Sequence, residues 1–181
     1  MKRVLPRMLF ALLLLVSSTI ALAAAPASAP EPAMAKLDFL VGEWKGEGWI
    51  MTREGKRETF ASTELIRKKL RDTALLIEGT HTGFEAMAVV TWDAKAQEYR
   101  WRSFTSRGAG VDAKAALVGE RTLQWFPSES ARYTIAISAD GQWIETGEYT
   151  RDDGTTWTQF FEMRLQKVGA TPDVASATTT P

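Results

Sequence analysis

The strongest constraint in this chain is a repeat of two. Between positions 36 and 168, apolar residues recur mainly at every second position in short runs, and no long stretch follows the helical period. Side chains on a strand point alternately to opposite faces, so these runs read as strands with one buried and one wet face. Phe84, Ala86, Ala88, Val90 and Trp92 share one parity, and Tyr99, Trp101 and Ser103 begin a second alternating run beyond the polar turn Asp93-Ala94-Lys95-Ala96-Gln97. Leu123 and Trp125, then Tyr133, Ile135 and Ile137, alternate up to Asp140-Gly141. Trp143 to Tyr149 runs to Asp152-Asp153-Gly154, and Trp157, Gln159, Phe161, Met163 and Leu165 close the series. Asp and Gly at these joints tolerate the positive φ of tight hairpins. About ten strands at roughly 8–12-residue spacing predict an all-β, antiparallel up-and-down barrel of about 8–10 strands, favoured over a sandwich because closure leaves no long edge.

Two segments break the rhythm. Residues 61–69 place Glu64 and Lys68 at helical i,i+4 spacing, but their Thr and Ile content suits a strand, and they are assigned as one. Lys36-Leu37-Asp38-Phe39-Leu40-Val41 is apolar without alternation, and a single helical turn there would pack Phe39 and Leu40 under one barrel end.

The two ends of the chain differ in composition from this centre. Lys2, Arg3 and Arg7 precede an apolar run from Leu9 to Leu22, and Ala21-Leu22-Ala23 has the small-x-small form of a cleavage site, so residues 1–23 read as a secretory signal peptide. The run is shorter than the roughly 20 residues of a bilayer span, which predicts no stable membrane span after processing and a periplasmic or secreted product. Residues 24–35 form an Ala/Pro-rich linker, 36–168 the folded domain, and 169–181 an Ala/Thr/Pro-rich disordered tail. Cleavage after Ala23 removes three cations and no acids, so 22 basic residues become 19 against 22 acidic ones, a net charge of −3. No cation excess remains to neutralise phosphates, which argues against nucleic acid as a partner. The absence of cysteine excludes disulfides, thiolate metal sites and a lipidated N-terminal Cys, and the lone His81 excludes a multi-histidine zinc site. No metal site is expected.

The first strand opens Gly42-Glu43-Trp44 and carries Gly46 and Gly48 on the Trp44 face, where a strand must bend sharply. A short apolar turn leading into Gly-x-Trp, a train of antiparallel strands and a basic residue on the last strand resemble the lipocalin and wider calycin pattern. Gly42, Trp44 and Arg164 would be its structural residues, with Arg164 as the cation that packs across the first-strand Trp. The run LDFLVGEWKGEG (37–48), the Thr80-His81-Thr82-Gly83 turn and Val90-Thr91-Trp92-Asp93 followed by Tyr99 resemble the bacterial DUF1579 family of lipocalin-like domains over roughly residues 36–167. The resemblance extends to nitrobindin-type barrels, which implies a haem held through a histidine. In that family the ligand lies near the C-terminal end, and residues 155–168 contain no histidine, so the carry-over fails there. His81 shares parity with Leu75 and Ile77 and reads as an inward-pointing imidazole near a barrel mouth rather than an iron ligand.

A barrel of this size can enclose a cavity walled by its inward side chains. The candidate ligand-binding residues are Trp44, Phe84, Trp92, Tyr99, Trp101, Trp143, Glu145, Tyr149, Trp157, Gln159 and Phe161, with Val90 and Met163 beside them. Each ring equally suits a filled interior; as a set, beside small Ala and Gly residues, they suit a flat apolar ligand. Glu145 shares the parity of Trp143, Gly147 and Tyr149, so either it is a buried, paired carboxylate or that whole face is outside. Glu78 and Arg102 read as outer-face residues. No Ser-His-Asp set, phosphate-binding loop or metal spacing is recognisable, which places an enzymatic role behind two others. Those are an exported module that binds a small apolar molecule in its barrel, and an envelope interaction protein whose barrel is filled.

Overall fold

The computed structural model describes residues 32–108 and 110–169. Every alternating run becomes a strand: β1 (Gly42–Met51), β2 (Arg57–Lys69), β3 (Ala74–His81), β4 (Phe84–Asp93), β5 (Glu98–Thr105), β6 (Gly110–Gly119), β7 (Thr122–Ser128), β8 (Ala131–Ile137), β9 (Trp143–Tyr149) and β10 (Thr158–Gly169). Each strand pairs antiparallel with the next, and β10 returns to pair with β1, so the sheet closes on itself. The expected up-and-down barrel is therefore present, with ten strands. Residues 61–69 lie within β2. The turns use the chemistry read from the sequence: Asp93 Oδ1 accepts from the backbone N–H groups of Lys95 and Ala96 at 3.0 Å, and Gly141 and Gly154 sit at φ of 83° and 85°.

One end of the barrel is plugged. Pro32–Ala35 forms a helical turn, α1, and Asp38–Leu40 a 3-10 turn, and together they bury Met34, Leu37 and Leu40. Proline suits the first helical position because its missing N–H would have no partner there. Beneath the plug sits Trp44, 1% exposed, whose Nε1 donates to the Leu40 carbonyl at 2.8 Å and whose ring meets Trp143 edge-on at 5.6 Å. Tyr99 donates its hydroxyl to the Ala33 carbonyl, and Trp92 packs edge-on against Tyr99. Ile66, Leu75, Val90, Leu123, Ile135 and Leu165 fill this half of the interior. The expected linker at 24–35 is corrected at its end, since residues 32–35 belong to the plug; burial of Met34 holds them there. The expected signal peptide (1–23), the rest of the linker and residues 170–181 of the expected tail lie outside the described residues.

The cation over Trp44 is Lys167, not Arg164. Met163 and Leu165 point inward, so the inward parity of β10 continues to Lys167, which pairs with Trp44 across the β1–β10 seam. The Lys167 Nζ stands 5.2 Å from the indole centroid. Arg164 falls on the opposite parity, faces solvent and donates to Glu162 Oε1 at 2.7 Å. Gly42 opens β1 at φ 142°, a backbone conformation that side chains rarely allow.

Two substitutions separate these roles. Trp44→Ala empties the space beneath the plug and is expected to cost about 3–5 kcal/mol in urea unfolding, whereas Arg164→Ala, an exposed change, should stay within about 0.5 kcal/mol. Equal losses from the two variants would contradict the placement of Arg164 on the outer face.

Candidate functional site

The other half of the barrel is hollow, for a reason visible in its side chains. The inward positions of β3 and β4 there are small, at Gly79, Ala86 and Ala88, while the facing strands contribute large rings. The result is a cavity of about 190 Å³. Trp101, Trp125 and Tyr133 form a continuous parallel stack along one wall, with centroids 4.9 and 4.4 Å apart. Phe161 meets the Tyr133 ring at 5.6 Å, and on the far side the His81 imidazole stacks on Phe84 at 4.4 Å. A dry cavity of about 150 Å³ admits benzene, while drug-sized ligands occupy roughly 300–1,000 Å³, so this space is scaled to a single ring system. A larger depression of about 770 Å³ on the outer face over Lys45, Glu47 and Trp49 is open to solvent, and its acidic and basic groups include the Arg164–Glu162 pair.

Two carboxylates are buried in the wall. Glu64 on β2 and Glu145 on β9 are 5% and 8% exposed. Glu64 Oε1 lies 3.5 Å from His81 Nε2 and accepts from the Ser62 hydroxyl at 3.4 Å; the hydroxyl also contacts His81 Nδ1 at 3.0 Å. Gly79 makes this cluster possible, because a Cβ there would stand 2.8 Å from both Glu64 Oε1 and His81 Nε2. Glu145 Oε2 accepts from Trp143 Nε1 at 3.3 Å. Trp125 Nε1 lies near the same carboxyl and steadies its charge without reaching hydrogen-bond geometry, and the buried Nε1 of Trp101 has no partner. Burial pushes Glu64 up to about 8, helped by the nearby Glu145 charge and opposed by Ser62. Burial likewise raises Glu145 to about 7, against the pull of the two indoles, and lowers His81 below its usual range.

Five of the candidate residues meet at this cavity: Phe84, Trp101, Trp143, Glu145 and Phe161. Glu145 is buried, but its partner is the Trp143 indole N–H rather than a cation among the described residues. Trp44 lies one layer deeper, behind Trp143. Trp92 and Tyr99 belong to the plugged end, because the cavity begins only beyond Trp101 on β5. Tyr149 shares the inward parity but ends β9 at the rim, with Arg151 over its ring at 5.2 Å. Trp157 and Gln159 are outside. A register shift between Gln159 and Phe161 inserts Phe160 and reverses the alternation, so Gln159 pairs opposite the outward Glu148 and donates to Glu162. Trp157 stacks beneath the Arg132 guanidinium, 4.1 Å from its centroid. Glu78 and Arg102 face outward, paired with Arg67 and Asp112.

The sequence reading missed Glu64 and omitted Trp125 and Tyr133 from the site. The two rings were already on the inward parity of Leu123 and Ile135. Glu64 shares parity with Ile66, but Leu65 on the other parity obscures which face of β2 is inside. Folding also assembles a Ser62–His81–Glu64 contact that spacing did not suggest. Ser62 does not reach the cavity wall, and its hydroxyl is engaged by both partners, so the contact orients Glu64 and His81 and offers no nucleophile to a bound molecule. Haem does not fit: the space is scaled to one small ring system, and both imidazole nitrogens face Ser62 and Glu64. Among the described residues, no group of three or more His, Cys, Asp or Glu is placed to hold a metal ion, and no helix is long and apolar enough to cross a membrane.

No family model matches the sequence, and no curated protein matches it. The fold is similar to that in the "Crystal Structure of Rv2717c from M. tuberculosis", with a TM-score of 0.55 over 77% of this chain and 99% of that one, at 10% identity. At that identity the likeness concerns fold alone. It fits the class that the topology defines, a lipocalin-like antiparallel β-barrel.

The two acids make stability depend on pH with a definite sign. Their folded values lie above the ordinary 4.5, so the stability they contribute is complete below about pH 4.5 and is lost as pH rises through about 7 and 8. The displacement of Glu145 alone corresponds to on the order of 3 kcal/mol. His81, lowered by burial, acts oppositely on the acid side of its usual range. Thermal melts should therefore show the wild type losing stability from about pH 5 to 8.5, with Glu145→Gln flattening the slope and melting higher at the alkaline end. Parallel curves for the two proteins would show that Glu145 is not buried as described.

Proposed function

We propose that this protein is an exported, lipocalin-like binding module that holds one small, largely apolar ring compound in its aromatic half-barrel. The observation that carries the reading is the cavity of about 190 Å³ between the Trp101–Trp125–Tyr133 stack and the small side chains of Gly79, Ala86 and Ala88. A barrel whose interior served only stability would be filled, because an empty volume forfeits packing energy. Here one half is filled with aliphatic side chains, while the other keeps its space beside buried polar groups. Export rests on the charged, apolar and small-residue sequence of positions 1–23. Kinship with the DUF1579 barrels rests on the 37–48 run, the Thr80–Gly83 turn and the Val90–Asp93 hairpin with Tyr99.

The interaction-protein reading draws on one feature, the exposed and paired Met87 and Phe104 on the outer face of β4 and β5, at 42% and 53% exposure. A single-ring probe such as indole separates the two. At about 100 times its Kd, a bound ligand adds about 2.7 kcal/mol, a rise in Tm of roughly 5–10 °C, with a change in tryptophan emission. Ala86→Leu, which extends into the cavity, should abolish that shift while leaving the free protein's Tm unchanged or higher. A flat response to every ring compound tested, with a partner retained through purification, would favour the filled-barrel alternative.

A further inference from the structure

We infer that the cavity takes the cation of a small arylalkylamine, one aromatic ring bearing one protonated amino group, with the ring on the aromatic wall and the ammonium between Glu64 and Glu145. The inference rests on the ring-binding reading above and adds the charge of the ligand. Glu64 on β2 and Glu145 on β9 open on the cavity, accompanied by His81 on β3 and Tyr133 on β8 as the other titratable groups; the lining side chains of β4, β5, β7 and β10 carry no charge. Among the described residues, no lysine or arginine lines the space, and the guanidinium of Arg107 stands at the mouth, over the Phe84 ring. Two acids are thus buried together with no cation between them among the described residues, an arrangement that costs stability unless they take up protons or a partner supplies the charge.

The bonding pattern leaves room for such a partner. Trp143 donates to one oxygen of Glu145, and the contacts of Glu64 with Ser62 and His81 both fall on Oε1. An ammonium has three donors and no acceptor, so it can bridge two carboxylates where a hydroxyl, with one donor, serves one. Binding the cation then draws at least one of the two carboxyls into its ionised form, and since burial holds their protons into the neutral range, that proton must leave to solvent as the amine enters. His81 is held neutral and does not compete for the acids as a cation.

The test pairs 2-phenylethylamine with 2-phenylethanol, which match in shape and differ in charge, using calorimetric titration of the whole folded protein. At about pH 8 the amine should bind at least about tenfold more tightly. Its affinity should rise between about pH 6 and 8 by up to about tenfold per pH unit for each displaced proton, while that of the alcohol stays flat. Proton release should register as a buffer-dependent heat. Glu64→Gln and Glu145→Gln, which preserve shape, should each erase the preference for the amine yet still bind the alcohol. An alcohol that binds as tightly as the amine, or an amine affinity independent of pH, overturns the inference and leaves the ring-binding reading standing. Failure of both compounds to bind the wild type overturns the two together.

Discussion

The interior of this protein depends on the seam where β1 meets β10. A ten-strand meander without that seam is an open sheet with two free edges; with it, every strand has two neighbours and an inside exists. The seam makes a demand of its own. β1 must lie so close to β10 that a Cβ at Gly46 would stand 2.1 Å from the Arg164 carbonyl oxygen, and the absence of a side chain there lets the first strand coil against the last. Once the seam is made, Trp44 is trapped between the two strands and the plug, its N–H tied to Leu40 and its face covered by the Lys167 ammonium.

Closure alone does not decide whether a barrel is hollow. The two halves of this interior are built on different terms. At the plugged end, branched aliphatic side chains interdigitate with Leu37 and Leu40, and burial gains roughly 25 cal/mol for each Å² of apolar surface removed from water. At the other end, rings stack along one wall and short side chains face them, leaving a space that the protein itself does not fill. Among the described residues, Glu64 and Glu145 have no cationic partner in that space, and the fold tolerates them because a buried carboxyl can hold its proton instead of ionising. The plugged half supplies the stability that the hollow half gives up.

Legibility followed the physics of each feature. The period-2 runs and Asp-Gly joints marked strands and turns, because side-chain alternation and positive-φ chemistry are local. Inward parity groups Phe84, Trp101 and Phe161 with the residues that line the cavity, whereas the Trp143–Glu145 face was open between inside and outside until the fold turned it inward. Lys167, two steps beyond Leu165 on the same parity, went unnamed in the sequence reading; family resemblance led to Arg164 instead, on the solvent parity. Parity failed where the ladder is interrupted, since the extra residue at Phe160 sends Trp157 and Gln159 outside. It was also blind to depth along the barrel axis, which separates Trp92 and Tyr99 at the plug from Trp101 in the cavity.

The amino-acid sequence by itself determined that this chain folds as a train of antiparallel strands rich in rings on one parity, because alternation and turn formation act between near neighbours. Only the tertiary structure decided that Glu64, 81 residues before Glu145 in the chain, shares a cavity with it, and that Ser62 and His81 hold it there. That meeting depends on how a sheet curls and where its registers slip. Those are properties of all ten strands acting together, and burial sets the chemistry of the two acids only after the barrel has closed around them.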